Sequence, residues 1–228
     1  MYGYYLFDSW YLILVIASLV LGGLGQLFIN NRYKTWSQIP LPGNKTGADI
    51  ARSMLQSNHV DGVGILEIDG KLTDHYDPRD NSLSLSKDNF QNASIASAAV
   101  ACHEAGHAVQ FAKHYMPGII RTAIVPVVNF ASSVWILVFF AGIIMGVTGF
   151  IYAAIALFAA VVLFQLVTLP VEFDASRRAL SYAKSAGYSD EVLKGFRQVL
   201  TAAALTYVIA ALVSCLQLIY YLGFTRRN

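Results

Sequence analysis

The chain has 228 residues, 56% of them hydrophobic and only 13% charged, with 16 Lys and Arg against 14 Asp and Glu for a net charge of +2. At a mean hydropathy of +0.50 it is too apolar for an ordinary water-soluble domain, and so slight a charge excess excludes a nucleic-acid-binding surface. Two cysteines are too few for a disulfide framework.

Residues 9–30 contain no Lys, Arg, Asp or Glu and match the ~20 residues that cross a bilayer. Met1 to Asp8 carries no basic residue and no small-residue cleavage site follows the apolar run, so the segment reads as an uncleaved anchor. Residues 46–57 (TGADIARSMLQS) form an amphipathic pattern for a helix, 63–68 a strand, Asp69-Gly70 a turn and 81–86 a second strand. A helix follows over 90–114, with Asp88, Asn89, Asn92 and Ser94 as N-cap candidates before an Ala-rich run free of Pro. Two further uncharged stretches, 122–145 and 149–169, are so close in sequence that they predict a tight helical hairpin across the membrane. Pro170 then opens a helix that Gly187 closes, and residues 199–222 make a fourth span.

Basic residues orient these spans. Nine of the 16 Lys and Arg lie in 29–121 and five in 170–198, which four spans place on one side, and the positive-inside rule makes that side cytoplasmic with both termini outside. The expected divisions are an anchor at 1–30, a part outside the bilayer at 31–121, a transmembrane hairpin at 122–169, a helical region on the same side at 170–198 and a last span at 199–228. The chain is thus expected to be a mainly α integral membrane protein of four transmembrane helices with a small α+β domain at the cytoplasmic face.

Chemistry enters with His103, Glu104, Ala105, Gly106 and His107. On a helix, positions i and i+4 share a face one turn apart, so both imidazoles of HExxH reach one zinc ion while the Glu stands as general base for peptide-bond hydrolysis. A third ligand must lie on the same side of the membrane. Glu172, in the first turn after Pro170, would complete a His, His, Glu set, with Asp174 the next candidate. His114 shares the helical stripe but lies about 10 Å further along the axis, and Gln110 and Lys113 stand where a metzincin needs Gly and His. Cys102 points about 100° away from His103 and is not expected to share the ion.

ACHEAGHAVQ, two apolar spans and then VEFDASRRA resemble the gluzincin membrane proteases related to HtpX and the CAAX prenyl endopeptidases. Over the whole length, and through LTDHYDPRDNSLSLS with the N-terminal anchor, the chain is more similar to the small YugP-type neutral zinc metallopeptidases of bacteria. The resemblance implies one Zn2+ per chain on His103, His107 and Glu172, with Glu104 as base. It departs from the HtpX-like pattern at Ser176, where that pattern has the Asp that partners a ligand His.

Other residues carry two readings each. His75 and Tyr76 are either donors to a developing oxyanion or part of a turn held by Asp74 and Asp77. Leu83 and Leu85, alternating with Ser, fit a half-buried strand, either an ordinary one or the edge on which a substrate backbone adds. Asn129, with Ser132 and Ser133, either lines a route from bilayer to zinc or packs helices, and Arg177, with Arg178 and Arg197, is either a transition-state contact or a topology signal. The expected function is a zinc endopeptidase of a bacterial plasma membrane, acting on proteins or peptides at the cytoplasmic surface, with the bilayer and a membrane-protein partner or second copy as its company. The alternatives are a non-catalytic zinc scaffold, against which Glu104 argues, and a site-2-type intramembrane protease, whose third ligand is an Asp that the later spans lack.

Overall fold

The computed structural model describes residues 9–226. The stretch Met1 to Asp8, which bears on the absence of a cleaved leader, lies outside the described residues. The chain is mostly helical, in the order α1 (Ser9–Ser37), α2 (Gly47–Ser57), β1 (Gly64–Ile68), β2 (His75–Asp77), β3 (Ser82–Ser86), α3 (Lys87–Gln91), α4 (Ile95–Ala112), α5 (Met116–Met145), α6 (Thr148–Ser185) and α7 (Asp190–Arg226). Among the described residues α1, α5, α6 and most of α7 are long and apolar enough to cross a membrane. Two compact units emerge. One holds the chain up to Gly25, Ile120–Leu169 and the chain from Thr206; the other holds Gln26–Ile119 and Pro170–Leu205.

In the first unit α5 and α6 form the expected hairpin. Only Gly146 and Val147 separate them, because Gly146 adopts the left-handed φ of 66° that lets Val147 N–H return to Gly142 O at 2.9 Å. Phe139, Ile151, Ile155, Phe158, Val162 and Tyr221 pack into its core.

The second unit is built around α4. Its N-terminus differs from the expected helix over 90–114: α3 is a separate turn, Asn92 is extended at ψ 140°, and Ser94 restarts the helix by accepting from Ser97 N at 3.1 Å. At the far end His114 takes a left-handed φ of 51°, which stops α4 at Ala112. The helix is surrounded on nearly all sides. Ala96, Ala98, Ala99, Ala101, Ala105 and Ala108 are buried among α2, the sheet and the C-terminal helices, and Ala is the residue that lets neighbours approach closely without losing helix propensity. α2 starts on a capping box in which Thr46 Oγ accepts from Asp49 N at 3.2 Å and the Asp49 carboxylate accepts from Thr46 N at 3.2 Å.

The sheet corrects one expectation. Its order is β1-β3-β2, with β1 parallel and β2 antiparallel to β3. β3 is therefore the central strand, paired on both edges and buried at every residue, so Leu83 and Leu85 are core and no substrate backbone can add there. The pattern SLSLS looks half-buried because Ser fits a covered face where space is short. A second correction concerns Pro170, which opens no helix. It sits inside α6, whose backbone angle near −65° suits the proline ring and which forgoes one backbone hydrogen bond there. The stretch carrying Glu172 is thus the continuation of the third apolar span.

Thr46→Ala removes the cap donor-acceptor pair of α2 and is expected to cost about 1 kcal/mol. Thermal unfolding in detergent should show a lower Tm with zinc content unchanged.

Candidate metal centre

His103 and His107 project from one face of α4, their ring planes 84° apart and centroids 4.8 Å apart. Facing them, α6 brings Glu172, whose Oε2 lies 3.1 Å from His103 Nε2 and 3.6 Å from His107 Nε2. The two helices meet this closely because Gly106 lies against the α6 backbone: a Cβ there would sit 2.8 Å from Ala175 O and 3.2 Å from Ala175 Cα. Gly106 therefore serves helix contact, at the cost of about 1 kcal/mol of helix propensity.

This group fits a zinc ion. One ligand atom from each residue lies within 4.8 Å of the other two, and bonds of 2.0–2.1 Å in a tetrahedron hold neighbouring donors about 3.4 Å apart. The separations of 3.1 and 3.6 Å straddle that value. Glu172 is 2% exposed, and a carboxylate so buried needs a cation or several donors to offset its desolvation.

Glu104, one residue along α4, is also buried but makes no hydrogen bond to any described residue. Burial pushes its carboxyl up to about 7, with the Glu172 charge adding to the rise and His103 opposing it. A carboxylate with that basicity and no fixed partner is suited to exchange protons with water near neutral pH.

The remaining sequence candidates separate. Tyr76 is engaged elsewhere, its hydroxyl donating to Asn81 Oδ1 at 2.8 Å and its ring packing on Phe111. His75 is exposed, in electrostatic range of Glu104, and its Nδ1 donates to Thr73 O at 2.8 Å. Its free Nε2 can donate only as imidazolium. Asp74 accepts from Ser86 N and Asn89 Nδ2, and Asp77 pairs with Arg79, so both hold local structure. Asp174 is turned toward Arg178 at 2.6 Å and Arg177 at 3.7 Å and takes no part in the donor group. Arg177 is itself exposed. Asn129 belongs to the other unit, exposed on α5, where its carbonyl accepts from the Ser132 and Ser133 hydroxyls. The Cys102 thiol is pushed up by complete burial and is inert.

The partners of the two imidazoles are Gln110, which was not foreseen there, and Ser176, which stands where the HtpX-like pattern has Asp. Ser176 Oγ lies 3.2 Å from His103 Nδ1, and Gln110 Oε1 lies 3.0 Å from His107 Nδ1. The signal existed in the spacing: Gln110 is three residues after His107 and Ser176 four after Glu172, both same-face intervals on a helix.

Among the described residues, four helices long and apolar enough to cross a membrane and a His, His, Glu group that could hold a metal ion mark the class of a membrane protein with a candidate zinc centre. A family model described as "Putative neutral zinc metallopeptidase" matches residues 11–226, and the chain belongs to that family. It is 41% identical over 212 residues to the protein described as "Putative membrane protease YugP" of Bacillus subtilis (strain 168), across 92% of this chain and 94% of that relative. No solved structure matches the chain.

Gly106→Ala tests the helix contact. Ala gains helix propensity in an isolated helix, yet here the Cβ must displace backbone, so the variant is expected to lose about 1–3 kcal/mol. A lower Tm with reduced zinc occupancy, read by elemental analysis of purified protein, is the expected outcome.

Proposed function

We propose that this chain is an integral-membrane zinc endopeptidase that holds one ion on His103, His107 and Glu172 and uses Glu104 as general base. The observation that carries the reading is the convergence of Glu172 Oε2 on both imidazole Nε2 atoms beside a buried carboxyl near neutral pKa. Membership of the neutral zinc metallopeptidase family supports it. A bound zinc ion supplies a Lewis acid that polarises the scissile carbonyl and makes a water nucleophilic at neutral pH. Glu104 accepts the proton that the attacking water loses and returns it to the amine nitrogen as the C–N bond breaks. Burial excludes competing water and keeps that carboxyl basic enough for the first transfer and acidic enough for the second.

The substrate is a protein or peptide, bound in extended form along β2. This strand packs beside α4 and its outer edge carries no strand partner among the described residues, so main-chain groups there are open to β-addition. His75, exposed on that strand, is placed to meet the substrate.

In this reading residues 31–121 and 170–198 form a gluzincin-like protease domain, and 1–30, 122–169 and 199–228 hold the spans. Glu172 follows the apolar stretch 149–169 on one continuous helix, which supports a site close to the bilayer surface. The 14 basic residues in 29–121 and 170–198 support a cytoplasmic location, in a bacterial plasma membrane, with both termini outside.

Ligand and base are separable. Glu104→Gln should keep full zinc occupancy and lose about 10²- to 10⁴-fold in turnover of an unstructured protein substrate. Glu172→Ala should lose most of the zinc as well as activity. Full zinc content and normal cleavage by Glu172→Ala would show the ligand assignment to be wrong.

The topology has its own check. Ser57 and Ser185 are exposed, and Ser57→Cys and Ser185→Cys should resist an impermeant maleimide in intact cells and react after permeabilisation. Labelling of either from outside would overturn the cytoplasmic assignment.

A further inference from the structure

We infer that Gln110 is a positioning residue that locks His107 in the tautomer able to bind zinc and, through Asp174, ties that ligand to the helix bearing Glu172. This rests on the reading of His103, His107 and Glu172 as the zinc ligands. Gln110 is 3% exposed, and each of its side-chain polar atoms is engaged. Its Nε2 lies 2.8 Å from Val171 O and 3.0 Å from Asp174 Oδ2. Val171 O is a carbonyl and can only accept, and the Asp174 oxygen already accepts from Arg178 Nε at 2.6 Å. The amide therefore cannot flip: its NH2 faces α6 and its Oε1 faces His107 Nδ1 at 3.0 Å.

An amide oxygen has no proton to give. His107 Nδ1 must carry the hydrogen of that bond, so in the neutral ring that binds a metal the Nε2 lone pair is directed at Glu172 Oε2, 3.6 Å away. A lone pair facing a buried carboxylate repels it unless a cation stands between them. Gln110 thus prepares half of the site before any ion arrives.

His103 is held differently. Its Nδ1 partner is the Ser176 hydroxyl at 3.2 Å, which donates or accepts by rotating and so imposes no tautomer. The position where the HtpX-like pattern has Asp is filled by a weak, indifferent partner, and the fixed orientation comes from Gln110 on the other ligand. The chain Arg178, Asp174, Gln110, His107 links α6 to α4 close to Glu172. Displacing α6 along α4 would disturb a ligand from each helix together.

The test uses the full chain in detergent, with zinc affinity measured by competition against a chromogenic chelator and the visible spectrum of the cobalt-substituted protein as a second readout. Gln110→Met matches the length without polar atoms. It should bind zinc about 10- to 100-fold more weakly and show an altered cobalt spectrum, whereas Ser176→Ala should change both much less. Gln110→Glu should bind weakly, since it sets two carboxylates against each other. In Gln110→Met the loss of zinc affinity should come with a zinc-free protein of near wild-type Tm, a split that a purely structural role for Gln110 would not produce. Wild-type affinity and spectrum in Gln110→Met, or a loss of affinity that only follows a fall in the Tm of the zinc-free protein, would overturn the inference while leaving the metal site standing. A wild-type protein that takes up no zinc, or a His103→Ala variant that keeps it, would instead overturn the ligand reading beneath it.

Discussion

A carboxylate at 2% exposure, with two imidazole nitrogens at 3.1 and 3.6 Å, sets the constraint that the second unit is organised around. Removing an ion from water costs several kcal/mol even after the surroundings relax. Here Glu172 Oε2 faces two imidazole nitrogens at separations that a shared cation would also suit. The buried Glu104 next to it, with its carboxyl raised to about 7 by burial, lies in the same low-dielectric surroundings.

Bringing three ligand atoms within 4.8 Å of one another from two helices requires those helices to approach closely. Side chains on both sides are therefore small. Gly106 sits so near the Ala175 backbone that a Cβ would collide with it, and alanines fill six of the fourteen buried positions of α4. Close approach in turn fixes the ligands rigidly, since an interior packed at this density has few alternative arrangements. The HExxH motif and the packing motif are thus one stretch of sequence.

This shared stretch governs what could be read from the chain directly and what could not. Spans are legible because an uncharged apolar run of bilayer length rarely arises in a water-soluble fold, and the HExxH helix because its spacing and its Ala-rich flank agree. Glu172 is legible only through topology, as the carboxylate that two spans return to the side of His103. The order of the sheet was not legible: β2 is three residues of a polar segment, DHYDP, held as a strand by pairing with β3, and no periodicity exists over so short a run. Pro170 misled in the opposite way, because a proline at a composition boundary reads as a helix start, while a long apolar helix tolerates one missing hydrogen bond. Gln110 was weighed only as the residue that excludes another ligand pattern, although its spacing from His107 already placed it beside that ring.

Charge accounts for why amide and hydroxyl partners suit this site. A carboxylate against each ligand histidine would add two negative charges beside Glu172 and Glu104, and each would raise the ligands' basicity at the expense of the ion's power to attract electrons. The protein instead has Asp174 close by, turns it toward Arg178 and Arg177, and passes its influence to His107 through an uncharged amide. His103 receives a hydroxyl. In the proposed site the charges of Glu172 and Glu104 would already balance a dication, so no further carboxylate beside the imidazoles is needed to neutralise it. A group asked to take a proton and then return it works best in that balance.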